Sequence, residues 1–164
     1  EQFKDKKELL LEVIESDIRN KNGQYFEIIS ETDNVIEAMF LITEKEMLFM
    51  SQLSPILVED MKKYTSLIQA HFCANKEKNN EYVVYQILQK GQSEGIFRDY
   101  LKIDVVDGFL YDMSGFLHND TRIRLRHVEK EDVFRNIFLP YFRGLCTQKG
   151  IDLMDKYFPI DKQP

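Results

Sequence analysis

The chain has no tryptophan, two cysteines, four prolines and seven glycines in 164 residues, and each shortage excludes something. Cys73 and Cys146 lie far apart with no Cys-x-x-Cys spacing, which argues against a disulfide framework and for buried free thiols. No apolar run approaches the roughly 18 residues a membrane-spanning helix needs, and no charged-then-apolar leader opens the chain. The expectation is a soluble cytoplasmic protein with no membrane partner. Positive charge is also short: 22 Lys and Arg face 28 Asp and Glu, for a formal net charge of −6. Phosphate binding needs clustered positive charge, so these residues are not expected to grip nucleic acid by themselves.

Catalytic signatures are missing as well. There is no phosphate-cradling Gly-rich loop, no His-Glu-x-x-His and no Gly-x-Ser-x-Gly. None of His71, His118 or His127 has a Glu three residues before it, which removes the di-iron helical bundle. The reading is therefore not an enzyme, with no cofactor and no metal. Glu129, Glu131 and Asp132 read as acids complementing a helix start, and Arg122, Arg124, Arg126 and His127 as a solvated loop.

What the chain does have is helical periodicity. Asp5, with Glu8 three residues on, reads as an N-terminal cap for a helix carrying Leu9, Leu10, Val13, Ile14 and Ile18. That helix is expected to end around Asn20 to Gly23 or to resume through Tyr25, Phe26, Ile28 and Ile29. Thr32, Asp33 and Asn34 offer new caps for a second helix, apolar on more than one face and hence central, from Val35 to Met50. Ser54-Pro55 signals a short helix, and Tyr64 to Ser93 reads as one long helix or two, closed by Gly91 and Gly95. Asp104 is expected to cap a helix through Phe116, and Asn119 to His127 to be a loop. Glu129 to Cys146 is helical with a kink at Pro140, which cannot donate to the carbonyl of Asn136. A last helical piece follows Gly150. The fold class is all-α, a multi-helix bundle.

Twelve Phe, eight Tyr and six Met supply large, adaptable apolar surface. Ordinary core is the competing reading for any one of these residues. As a set, Met39, Thr43, Met47, Met50, His71, Phe72, Phe109 and Met113 are expected to line a cavity, with Tyr85, Gln86 and Tyr111 supplying orienting hydrogen bonds. The expected ligand is bulky and mostly apolar.

Three segments carry a family resemblance. Phe3, Lys6, Leu9 and Leu10 match the second half of a Tyr/Phe-x-x-Phe-x-x-Lys-x-x-Leu-Leu turn. Leu88-x-Lys90-Gly91-x-x-Glu94-Gly95-Ile96-Phe97-Arg98 looks like a Lys-Gly-x-x-Glu-Gly-x-Phe-Arg turn. Leu139-Pro140-Tyr141-Phe142-Arg143-Gly144-Leu145-Cys146-Thr147-Gln148-Lys149-Gly150-Ile151 resembles a closing Leu-x-Arg-Gly-Ile-x-Thr-x-x-Gly segment. Together they resemble the regulatory half of tetracycline-repressor-type (TetR-type) transcriptional regulators, across nearly the whole chain in element order.

The resemblance implies that residues 1–4 are the remnant of an N-terminal helix-turn-helix head and residues 5–164 an effector-binding and dimerisation domain. It implies a homodimer, a C-terminal two-helix dimerisation face including Phe116, Val133, Phe134, Ile137, Phe138 and Tyr141, a small apolar or aromatic effector, and operator DNA bound only through the missing head. It also implies repression relieved by the effector. The alternative is a free-standing helical lipid or small-molecule carrier, or an interaction protein, that never touches DNA.

Overall fold

The computed structural model describes residues 5–54, 63, 64, 66, 67, 70, 82–118 and 130–159, with the side chains of residues 6, 50, 114–118 and 130 left aside. Among these residues every regular element is helical and none is a strand, as the periodicity predicts. In chain order they are α1 (Lys6–Glu31), α2 (Val35–Gln52), α3 (Val83–Ser93), α4 (Ile103–His118), α5 (Lys130–Val133), a π-helical turn (Phe134–Phe138), α6 (Leu139–Leu145) and α7 (Gln148–Tyr157). No described helix is long and apolar enough to cross a membrane.

Helix starts follow the capping chemistry. Asp5 Oδ1 accepts from Lys7 N at 2.8 Å and Glu8 N at 2.9 Å, which satisfies two orphan amides and lowers the Asp5 pKa. Asn34 does the same for α2, accepting from Glu37 N at 3.0 Å. Two starts differ from expectation. α4 begins at Ile103, because the carbonyl of Lys102 already accepts from Val106 N at 3.1 Å, so Asp104 lies inside the first turn. α7 begins at Gln148, before Gly150, because the Thr147 side chain caps it. α1 runs unbroken through Gly23, whose missing Cβ faces open space.

The kink expected at Pro140 takes the form of a widened turn. Leu139 N donates to Phe134 O, five residues back, immediately before the proline. A wider turn relieves the clash between a proline ring and the carbonyl four residues earlier. Phe134 is thereby set beside Phe158, ring centroids 6.1 Å apart, and Phe158 lies 5.5 Å from Phe40 of α2.

The core is one cluster. Ile29 of α1, Val35, Ile36, Ala38 and Met39 of α2, Ile87 and Leu88 of α3, Val106 and Leu110 of α4, and Met154 of α7 meet around Ile96, Phe97, Leu145 and Cys146. α2 contacts α1, α3 and α7, so it is central as predicted. Its second half leaves that cluster: Met39 is 7% exposed, Met47 43% and Leu48 61%. The expected helix at Ser54-Pro55, most of the segment from Tyr64 to Tyr82, the loop Asn119 to His127 and Cys73 lie outside the described residues.

Candidate functional site

Two sequence segments with unusual residues meet in space. α3 ends in a closed motif in which Gly95, at φ +66°, adopts the left-handed backbone. Gly95 N donates to Gln92 O at 3.0 Å and Ile96 N to Gly91 O at 2.8 Å, the paired bonds that finish a helix at a glycine. The chain then turns Phe97 back onto α3. A Cβ on Gly91 would stand 2.2 Å from the Phe97 ring, so only glycine admits that ring.

The α6–α7 connection locks onto this turn. Arg98 N donates to Leu145 O at 3.0 Å and Thr147 N to Ile96 O at 2.9 Å, making the isolated antiparallel bridge between Phe97 and Cys146. Arg98 Nε donates to Cys146 O at 2.9 Å, Thr147 Oγ1 to Gly95 O at 2.8 Å, and Lys149 Nζ to Glu94 O at 2.8 Å. Gly150 repeats the logic of Gly91, since its Cβ would lie 2.4 Å from Ile96 O. Gln92 Nε2 donates to the carbonyls of Arg98 at 3.0 Å and Leu101 at 2.8 Å, aiming the chain into α4. We call this junction the clasp. It leaves a void of about 10 Å³ beside Phe97, Leu101 and Val106, which is at most one water.

Cys146 is fully buried in the clasp, and its Sγ donates to Phe142 O at 3.2 Å. Burial pushes its thiol pKa up to about 11, against the opposing pull of Arg143 and Arg98. It is a structural thiol, as the wide cysteine spacing suggests.

The residues expected to line a cavity are dispersed among different environments. Met39 is buried in the core and Met113 packs against it. Thr43 is half-buried and its hydroxyl donates to Met39 O at 2.7 Å. Met47 is on the outside, while Tyr85, Gln86 and Tyr111 are half-buried. His71, Phe72 and the Met50 side chain lie outside the described residues. An open recess of about 330 Å³ sits over the α1–α2 turn, lined by Ile28, Glu31, Thr32, Asp33, Glu37 and Leu41, and it draws on none of the cavity set.

Phe109 stands apart from that set. It is 49% exposed and lies 5.1 Å from the ring of Tyr141, one of the residues assigned to the association face. Val105, one helical turn before it, is 66% exposed. Val105 and Phe109 form an outward apolar patch on α4, and half-buried Tyr141 of α6, packed against the core, flanks it through the Phe109 ring. Burial raises the Tyr141 phenol pKa. The other residues expected at an association face are used within the chain to different degrees. Val133 is buried, Phe138 packs against the core, Phe134 stacks on Phe138 at 6.3 Å, and Ile137 is half-buried. Phe116 belongs to α4, with its side chain outside the described residues.

Sequence reasoning missed the polar side chains that do the joining. Lys90 Nζ donates to the carbonyls of Ile29 and, at 3.3 Å, Thr32. Glu94 Oε2 accepts from Val35 N at 2.9 Å. Their signal was present as a Lys and a Glu four residues apart at the end of a helix, a spacing that puts both on one face. Further along the same hairpin the Tyr25 hydroxyl donates to Glu46, whose carboxylate also meets Lys21 Nζ at 3.5 Å, and Lys21 lies 3.4 Å over the Phe49 ring. Burial first, then the Glu46 bond, raises the Tyr25 pKa.

Neither a scan against protein-family models nor searches of curated proteins and of solved structures returned a match. Among the described residues no group of His, Cys, Asp and Glu could hold a metal ion.

Proposed function

We propose that this chain is the effector-sensing and homodimerisation domain of a TetR-type transcriptional regulator, a repressor released from its operator by a bulky, mostly apolar small molecule. The observation that carries the reading is the clasp. The Leu88-to-Arg98 turn and the Leu139-to-Ile151 segment, which each resemble a motif of the family, are partners in one junction. Their meeting supports reading the two segments as parts of one domain of that kind.

Two further features suit the role. The exposed apolar patch of Val105 and Phe109, flanked by Tyr141, lies on the two helical stretches that the family pairs between subunits. Burying it against a second copy would remove apolar surface from water at about 25 cal/mol per Å². α1 suits an arm that carries a DNA-binding head, because no described residue before Tyr25 is buried and the helix spans roughly 28 Å from its start to that point. Effector release then requires tighter binding to an arm position that misplaces the heads.

A promoter reporter in the native host tests the reading. Deleting the complete gene should raise expression of its target, and adding effector to the wild type should do the same. Silencing of the target on deletion contradicts repression. A complete gene product that retards no DNA from its own upstream region contradicts the regulator reading and favours a carrier.

A further inference from the structure

α1 ends and α2 begins within four residues, so the last carbonyls of one and the first amides of the other are crowded into a single turn. Asn34 and Thr32 meet some of these groups locally, and others in both sets are met by two side chains four residues apart at the end of α3. Lys90 brings its ammonium to the carbonyls of Ile29 and Thr32, where the negative end of the α1 dipole favours a cation. Glu94 brings its carboxylate to the amide of Val35, where the positive end of the α2 dipole favours an anion. The two charges also face each other, Nζ to Oε1 at 3.6 Å. Their side chains are only 25% and 22% exposed, so water screens the arrangement less than it would a surface pair.

We propose that Lys90 and Glu94 form a coupling joint, one ion pair through which α3 carries the α1–α2 turn, and whose loss frees that turn while the clasp stays shut. The separation follows from how the two are built. The clasp is closed by backbone bonds from Ile96, Arg98 and Thr147, and by the close approach of Phe97 to Gly91, none of which uses the Lys90 or Glu94 side chain. The α1–α2 turn has the reverse construction, because among the described residues its long-range polar anchors are those side chains. The competing account is that apolar packing of Ile29, Val35 and Ile36 alone fixes the turn. The joint is independent of whether the chain serves a regulator. It makes Lys90 and Glu94 positioning residues for the α1–α2 pair.

Amide hydrogen exchange on the whole chain separates the accounts. In Lys90→Met and in Glu94→Ala, amides of residues 28–38 should exchange about tenfold faster, the weight of one lost hydrogen bond to a charged group. Amides of residues 95–98 and 145–151 should stay at their wild-type rates. The double variant should be no faster than the faster single one, and Lys90→Arg should restore protection. Unchanged exchange at 28–38 overturns the joint in favour of packing. Equal acceleration in both segments overturns it in favour of general destabilisation. If Lys90→Met does not fold, Glu94→Gln keeps an acceptor for Val35 N and removes only the charge. It should accelerate 28–38 by about threefold and leave the clasp alone, with the same two results contradicting the proposal.

Discussion

The clasp and the far half of the α1–α2 hairpin are made from similar amino acids and treat them in opposite ways. In the clasp Ile96 and Cys146 are fully buried, Phe97 is 1% exposed, and Gly91 and Gly150 are glycines because their neighbours leave no room for a Cβ. Along the hairpin Leu9, Val13, Met47 and Leu48 face outward, and polar side chains join the helices: Tyr25 to Glu46, with Lys21 between Glu46 and Phe49. Apolar content is therefore a poor guide to which segment is fixed. Backbone groups satisfied across distant segments, together with positions that admit only glycine, identify the fixed one.

Substitutions in the clasp should break this contrast most forcefully. Phe97→Ala empties the centre of the core and should lower unfolding free energy by about 3–5 kcal/mol in a urea titration. Gly91→Ala should cost about 1–3 kcal/mol by overpacking against the same ring, and its cost should shrink in a Phe97→Ala background because the clash is gone. Gly95→Ala meets no neighbour and loses only the left-handed backbone preference. It should cost about 1–2 kcal/mol in either background.

A pH titration refines the same region. The Cys146 thiol ionises near 9 when unfolded and at about 11 when folded. Its contribution is complete below pH 9 and is lost as pH rises through 11, because the unfolded chain gives up that proton first. The difference in urea midpoint between wild type and Cys146→Ala should therefore narrow over that window, a comparison that subtracts the same-signed effect of Tyr25. The smallest effect belongs to the hairpin. Met47→Glu should change stability by no more than about 0.5 kcal/mol, since the side chain is 43% exposed. A loss comparable to that of Gly91→Ala would erase the distinction between the two regions.

Much of the local structure was legible in the residues. Asp5 and Asn34 announce helix starts by their side-chain acceptors, Gly95 announces a left-handed turn, and Pro140 announces a defect that takes the form of the π-helical turn. Gly23 misled because a glycine in an exposed helix costs only about 1 kcal/mol, which the flanking turns of α1 absorb. The candidate site was less legible. Periodicity places Met39, Met47 and Phe109 on apolar faces, yet it cannot say which face meets a neighbour. Met39 is in the core, Met47 is outside, and Phe109 sits beside Tyr141. Lys90 and Glu94 were hidden for a different reason. Their four-residue spacing puts both on one face, but their partners are backbone groups of Ile29, Thr32 and Val35, and side-chain spacing does not say which backbone groups a face meets.

The measurement that bears most directly on the proposed role is sedimentation of the wild-type chain beside Phe109→Glu, with urea midpoints taken on both. The account predicts a wild-type dimer at micromolar concentration and a monomeric Phe109→Glu in which far-ultraviolet helicity is retained, because Phe109 is exposed on the outer face of α4 with Val105. A monomeric wild type, or a Phe109→Glu that remains dimeric, would contradict it.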